Sequence, residues 1–583
     1  MPEHGARGDR PLRALACAAV AFAGAALAWT FAVWFRLHPH MPWQDLYVVW
    51  ADILPILDRQ GVDLAALEVY LKPHYAAHRI TVPRLLVTLD ILRFHGQGHV
   101  LYAAGWAGLA ALWWQFCVAA RRAGADGPQA VFAAGLTGIL LLGPPGVWNL
   151  ANPINCSWHL SLALAMAALL LAARRGAAGS WPCWLGAYAL ACAAALTTFA
   201  GVVALLLLPA AALLRGYRAA ALATAASVLL VVLQLQGIAS DASIALAWQN
   251  EGADKVAVAA REALARHDAV TIALKTVRLL GWPLADTAPV AAAVLVAASL
   301  LLVGACWIVW ANRVLRRRDA APCWCLVYLL GASLCIGVAV AAQLGRVIEQ
   351  PNYAHGPSFE RFHTVVSVYW AAIVGLLLGA TRALSRWRRS GAWTACLALA
   401  VLIGAPWGTY LRQEVESAGY AARLYLQGEQ PAWRDPVDPW LLQYKPEFVF
   451  SFDEAFARRG LAWRAPQPAP AGTAGSRDCA AAGLRVAVDG PGRGGAVALR
   501  AEWPRWSGVL ARDLVLYAGG ERVGRMYAVH AGDYTPAALV APGRNPWRGL
   551  ADAEALAAAR VDIAVDGPFG RRYLCRLAPG ALR

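Results

Sequence analysis

The chain has 583 residues, of which 59% are hydrophobic and 15% charged, and its mean hydropathy is +0.46. This apolar content exceeds what the core of a soluble protein needs and indicates an integral membrane protein. The formal net charge of +16 would suggest nucleic-acid binding in a soluble chain. Here the Lys and Arg residues cluster at the ends of apolar runs, so we expect no nucleic-acid partner.

Apolar runs predict about eleven membrane-spanning helices, several of them shorter than the roughly 20 residues of a straight crossing. They lie near residues 12–35, 97–120, 128–148, 158–173, 183–198, 201–214, 219–235, 287–310, 322–343, 364–380 and 391–410. Basic clusters, such as Arg121 with Arg122, follow every even-numbered run. The positive-inside rule then predicts a cytoplasmic N-terminus and, after an odd number of spans, a periplasmic C-terminal domain.

The first predicted loop, residues 36–96, carries acidic groups between two spans, where ionisable residues are usually functional. Asp45 lies among the aromatic residues Trp43, Tyr47 and Trp50, which prefer the membrane surface. Partial desolvation there would raise the pKa of a carboxyl group toward the working range of a general base. Asp52 would share a helix face with Asp45 if the segment is helical. The alternative is an exposed aspartate or a helix cap.

The same loop ends in a basic cluster of His78, Arg79 and Arg84, which we expect to contact phosphate or, alternatively, lipid headgroups. His74 and His78 would face the same side of a helix, as metal ligands do, but the sequence between them lacks the glutamate of a zinc protease motif. The metal is therefore left unassigned.

A later loop, near residues 344–363, supplies two more candidate phosphate ligands, Arg346 and Arg361. A guanidinium group can bind two phosphate oxygens at once. The alternative is that these arginines pair with Glu349 and Glu360 in an ordinary loop network.

Residues 411–475 predict a helical segment, including Ser451 to Gly460, and a linker rich in Pro, Ala and Gly. Residues 476–583 contain short strand-like runs and predict a small β-sandwich with a hairpin turn at Gly519 and Gly520. The runs are 484–488, 496–501, 514–518, 522–529, 561–565 and 572–577. Cys479 and Cys575 form an even pair in this domain, and we expect them to form a disulfide in an oxidising compartment.

Residues 10–410 resemble bacterial polytopic glycosyltransferases of the GT-C superfamily. The resemblance is carried by the first span, Asp45 in an aromatic segment, the His78-Arg79-Ile80 and Pro83-Arg84 loop and the many later spans. It implies a GT-C-like transmembrane domain over residues 1–410, with its catalytic loop at 36–96. By position, Asp45 resembles the catalytic base, and Asp52 is the second choice.

The loop pattern of the family reads Asn-Glu-His-Arg, whereas this chain has Ala76 and Ala77 before His78. Arg361, in Glu360-Arg361-Phe362, resembles a Ser-Arg-Tyr segment before a late span. The family uses a polyprenyl-phosphate sugar as donor, and a soluble domain often follows its membrane part.

These observations predict a glycosyltransferase of the bacterial inner membrane that moves a sugar from a polyprenyl-phosphate donor to a glycan, lipid or protein acceptor at the periplasmic face. Asp45 would act as the base, basic groups would offset the charge of the departing phosphate, and a divalent metal ion could share that role. The alternatives are an O-antigen-type polymerase or ligase, a lipid-linked saccharide transporter or flippase, and a non-catalytic assembly protein that binds envelope glycans.

Overall fold

The computed structural model contains a helical bundle followed by an antiparallel β-sheet. It describes residues 10–37, 46–59, 64–74, 78–143, 146–173, 181–213, 217–235, 269–315, 323–349, 362–404, 451–461, 470, 477–492, 494–503, 513–528, 547–558, 560–567 and 570–577.

The helices follow the apolar runs of the sequence. The first half of the bundle contains α1 (Arg10–Leu37), α2 (Leu46–Asp58), α3 (Leu64–Leu71), α4 (Thr81–Phe94), α5 (His99–Arg122), α6 (Gly127–Leu141), α7 (Val147–Ala151), α8 (Cys156–Ala172), α9 (Trp181–Ala195), α10 (Ala200–Ala212) and α11 (Tyr217–Leu235). The second half contains α12 (Ala269–Leu280), α13 (Leu284–Thr287), α14 (Pro289–Leu315), α15 (Cys323–Glu349), α16 (His363–Ala380) and α17 (Arg386–Gly404). Between α3 and α4 lie two short paired strands, β1 (Pro73–His74) and β2 (His78–Arg79).

Six of these helices are long and apolar enough to cross a membrane: α1, α5, α11, α14, α15 and α16. Four further apolar helices, α6, α8, α9 and α10, have 17 residues or fewer. The bundle is therefore consistent with a membrane protein, and the count of eleven spans stays a prediction.

Small residues let the central helices approach closely. A side chain at Gly135 or Gly138 of α6 would collide with Ala19 or Ala23 of α1. Gly105 and Gly108 of α5 lie equally close to the first turn of α8. Small residues are typical of helix contacts in membranes, where van der Waals packing drives association.

The C-terminal sheet has seven antiparallel strands in the order β3-β4-β7-β6-β5-β8-β9. They are β3 (Arg485–Pro491), β4 (Ala496–Glu502), β5 (Asp513–Ala518), β6 (Glu521–Ala528), β7 (Trp547–Asp552), β8 (Val561–Gly567) and β9 (Gly570–Leu577), with α18 (Asp453–Arg459) before the sheet and α19 (Ala553–Ala558) after β7. Gly519 and Gly520 have positive φ angles and connect β5 to β6, as the sequence predicts.

The two stacked sheets of the expected sandwich do not occur among the described strands. The reason is that β7 pairs with both β4 and β6 and so joins all seven strands into one sheet. Asp478 pairs with Arg576 of the edge strand β9, and the Leu484 amide, next to the opposite edge strand β3, donates to the Cys479 carbonyl. The sheet therefore curls until its two edges lie near each other. Cys479 and Cys575 form a disulfide across this junction, with Cα atoms 4.8 Å apart.

Candidate functional site

The short helices between α1 and α5 form the first part of the candidate site. With 14 residues, α4 extends about 21 Å, which is too short to cross a bilayer. Its inward face buries Arg84 and Asp90, whereas Leu85, Leu89 and Leu92 on the outward face are 52%, 46% and 58% exposed. In a soluble protein the charged face would point outward, so this reversed distribution is the one expected of a helix in contact with lipid.

The half-buried carboxylate of Asp52 contacts two cations beside α4. Asp52 of α2 accepts a hydrogen bond from Lys72 Nζ at 2.5 Å and one from Arg84 at 3.4 Å. The Arg84 side chain is fully buried and also donates to the carbonyl oxygens of Lys72 and Tyr70, at 2.5 and 3.4 Å. The group of three thus contains one carboxylate and two cations.

Further polar contacts fix the ends of this group. The Tyr70 hydroxyl lies 2.6 Å from the Thr88 hydroxyl, which itself donates to the Arg84 carbonyl at 2.9 Å. Arg79 donates to the carbonyl oxygens of Leu71 and, at 3.3 Å, of Gln234 at the end of α11. At least part of the Arg79 guanidinium group is therefore engaged in contacts with backbone carbonyl oxygens.

Asp90 connects α4 to α5. Its two carboxylate oxygens accept hydrogen bonds from the backbone amides of Gly98 and Val100, at 2.6 and 2.8 Å. A carboxylate satisfies the free amides at a helix start in this way. Burial nevertheless raises the pKa of Asp90 to about 6, because desolvation outweighs the backbone hydrogen bonds that lower it.

A second group of polar residues is buried inside the bundle at the end where α5 begins. We define the polar cluster as Asn149, His159, His363, Thr364 and Ser367, all of them 2% exposed or less. It comes from three separate stretches of chain, α7, the start of α8 and the start of α16.

Contacts within and between these stretches hold the polar cluster together. Asn149 donates through Nδ2 to Thr364 Oγ1 at 3.0 Å, and Ser367 Oγ lies 3.1 Å from His363 Nε2. The rings of His159 and His363 are close enough to interact electrostatically. The Trp282 indole packs edge to face on His363, with ring centroids 5.7 Å apart.

The residues predicted from sequence fall into three groups. Asp52, Arg79 and Arg84 are described, and the structure brings Asp52 and Arg84 together. Asp45 and Arg361 lie outside the described residues, as do the side chains of His78 and Arg346, whose backbones belong to β2 and α15.

The structure corrects the proposed helical spacing of His74 and His78. They are cross-strand partners in β1 and β2, because the chain reverses between them. Within the described part of the chain, no group of three or more His, Cys, Asp or Glu side chains is placed to hold a metal ion.

The C-terminal region contacts the same end of the bundle. Arg459 of α18 pairs with Asp58 at 2.6 Å, and Phe456 packs edge to face on Trp50 with ring centroids 5.1 Å apart. Asp566 of β8 is close enough to interact electrostatically with His99, the first residue of α5. The α2–α4 segment, the polar cluster and the sheet thus share one end of the molecule.

Sequence reasoning missed Lys72 and most of the polar cluster. The signal for the cluster was a histidine inside an apolar run, His159, which marks a functional candidate in a membrane segment. Comparison of the chain with known protein families, with curated proteins and with solved structures found no match.

Proposed function

We propose that this protein is a membrane glycosyltransferase that moves a sugar from a polyprenyl-phosphate donor to an acceptor at the periplasmic face of the bacterial inner membrane. The observation that carries the proposal is the reversed amphipathic character of α4, which holds Arg84 and Asp90 on its inner face and leucines on its outer face. Such a helix suits a site where a substrate's charged head meets protein while its tail remains in lipid.

The group formed by Asp52, Lys72 and Arg84 suits the phosphate of such a donor. Its two cations would stabilise an anionic leaving group in a partly desolvated site. Lys72, which is 33% exposed, is the more accessible of the two cations, whereas Arg84 is fully buried. In this proposal Asp52 orients the two cations, because its oxygens already accept hydrogen bonds from both. The general base remains Asp45.

The distribution of arginines supports a cytoplasmic location for the opposite end of the bundle. There, Arg382 donates to the Ala123 carbonyl and to Gln129, and Arg389 pairs with Asp126 at 2.7 Å. Short loops rich in arginine are retained in the cytoplasm. The α2–α4 segment and the C-terminal sheet then lie on the periplasmic side.

A transporter or flippase for lipid-linked saccharides is the second candidate function. It is favoured by the polar cluster, because polar side chains inside a membrane bundle often line a substrate path. An O-antigen-type polymerase or ligase would rely on periplasmic Arg and His residues and would not need Asp45.

The test uses the purified full chain in proteoliposomes, radiolabelled polyprenyl-phosphate sugars, and envelope fractions from cells lacking the protein as acceptors. Sugar transfer should occur, and Asp45→Asn should lower turnover by about 10² to 10⁴ while donor binding survives. Asp90→Asn should be milder, since its carboxylate is used as a helix cap.

Two results would contradict the proposal. If the donor crosses the bilayer chemically unchanged, the transporter hypothesis replaces the glycosyltransferase proposal. If transfer proceeds at a near-normal rate in Asp45→Asn, the assignment of the base is wrong. The hypothesis of an O-antigen-type polymerase is then favoured.

A further inference from the structure

The polar cluster contains hydrogen-bonding atoms that no described residue satisfies. The Oδ1 atom of Asn149 and the Nδ1 atom of His159 are both buried and lack a hydrogen-bond partner among the described residues. Leaving a polar atom unpaired in an apolar interior is unfavourable, and native proteins rarely do so without a reason. Both residues lie where three separate chain segments meet, so their positions are fixed by the fold.

The contacts of the polar cluster hold its side chains in defined orientations. The Asn149 amide donates through Nδ2 to the Thr364 hydroxyl, and its Oδ1 atom is then left as a hydrogen-bond acceptor. Gly146 allows the His363 ring to approach the backbone, since a side chain there would come within 3.2 Å of Nδ1. Orienting contacts of this kind are typical of binding sites that need a defined geometry.

The chemistry of the cluster selects an uncharged ligand. Its members are an amide, two imidazoles and two hydroxyls, with no carboxylate, ammonium or guanidinium group among them. Neutral groups that both donate and accept hydrogen bonds match sugar hydroxyls, whereas a phosphate would require cations. The adjoining Trp282 indole adds the aromatic wall common in ligand sites.

We propose that the polar cluster is a saccharide subsite, in which Asn149, His159 and His363 recognise the sugar of the lipid-linked donor by neutral hydrogen bonds. This inference rests on the proposed function and deepens it, because it separates recognition of the sugar from recognition of the phosphate by Lys72 and Arg84. The two groups lie at the same end of the bundle.

Binding can be measured without any transfer reaction. The probes are farnesyl phosphate and its glucose, mannose, galactose, N-acetylglucosamine and arabinose esters, titrated calorimetrically into the full chain in detergent. We expect at least one sugar ester to bind about 10-fold more tightly than farnesyl phosphate, which corresponds to about 1.4 kcal/mol. Asn149→Leu should abolish this difference and leave the affinity for farnesyl phosphate unchanged.

Two further variants separate binding from folding. Thr364→Val keeps the shape of the side chain but loses the hydroxyl that contacts Asn149. It should lower the preference for the sugar ester about 3-fold, and it tests the subsite even if Asn149→Leu fails to fold. Gln129→Leu is the matched control, because Gln129 is a buried amide at the opposite end, hydrogen-bonded to the Leu378 carbonyl at 2.8 Å. That variant should keep the full preference.

Equal affinity of the wild-type chain for all six probes would overturn the inference, as would an undiminished sugar preference in both cluster variants. The results expected if the proposed glycosyltransferase function is wrong differ from those expected if the subsite is wrong. A sugar preference that depends on Asn149, without any transfer to acceptors, would retain the subsite and reject the glycosyltransferase. Transfer with an unchanged preference in both variants would reject the subsite alone.

Discussion

Arg84 places a charged guanidinium group in the protein interior, where an unpaired charge would be strongly unfavourable. Its side chain is fully buried, and Asp52 is one carboxylate that pairs with it. A buried cation costs several kcal/mol of desolvation, which the partner and the surrounding carbonyl oxygens offset. The pair therefore makes the geometry of α2 and α4 mutually dependent.

Asp52→Ala should lower the free energy of unfolding by about 3–5 kcal/mol, because it removes the Asp52 carboxylate from a fully buried guanidinium group. Asp58→Ala, six residues along, removes the more exposed pair with Arg459 and should cost about 0.2–1 kcal/mol. Thermal unfolding of the two variants in the same detergent checks this. Equal losses would mean that the Asp52–Arg84 pair adds nothing beyond a surface contact.

Asp90 should make stability depend on pH. Its folded pKa of about 6 exceeds the ordinary value of 3.8, so the folded state favours the neutral acid. The resulting stabilisation is complete below about pH 4, falls as the pH rises and is lost above about pH 6. The gap between the two pKa values corresponds to roughly 3 kcal/mol.

The measurement is the unfolding temperature between pH 4 and 7.5 for the wild-type chain and for Asp90→Asn, which cannot ionise. The wild-type chain should lose stability relative to the variant as the pH rises through this range. Parallel curves for the two proteins would show that Asp90 does not titrate there.

At the scale of elements, α4 presents a leucine stripe formed by Leu85, Leu89 and Leu92. We expect this stripe to contact acyl chains. The photoreactive residue p-benzoylphenylalanine at position 89 should therefore form crosslinks to lipid. At position 87, where Val87 is buried against the bundle, it should form crosslinks to protein alone. Mass spectrometry distinguishes the adducts, and a lack of lipid adducts at position 89 would place α4 away from the bilayer.

Elements with strong local patterns were predictable from sequence. The Gly519–Gly520 hairpin and the short helix before Gly460 follow from residues that adopt positive φ angles. Strand β7 was missed because Trp-Arg-Gly-Leu-Ala-Asp has little β-branched character. The pairing of β7 with β4 and β6 then decides the sheet, so missing one strand produced the wrong sheet arrangement.

The candidate site was predictable only where its residues are neighbours in sequence. Asp45, Asp52, Arg79 and Arg84 could be recognised as a group, although Lys72 was missed. The polar cluster could not, because Asn149 and Thr364 are 215 residues apart and meet only through helix packing. Local periodicity carries no information about such pairs.

For the whole molecule, the proposed orientation predicts which surfaces face the periplasm. Arg500→Cys, at an exposed position of β4, should react with a membrane-impermeant maleimide in intact spheroplasts. Arg388→Cys, exposed at the opposite end, should react only after lysis. Labelling of the parent chain, whose Cys479 and Cys575 are buried in their disulfide, gives the background. The reverse pattern would invert the orientation.

The curled sheet also bears on strand pairing between molecules. An open sheet has two edges with unpaired backbone groups, and each edge can accept a strand from a neighbouring molecule. Here the 477–484 turn and the Cys479–Cys575 disulfide draw the edge strands β3 and β9 toward each other. We therefore expect the disulfide to limit strand exchange between copies, and reduction of the bridge to make edge-to-edge pairing easier.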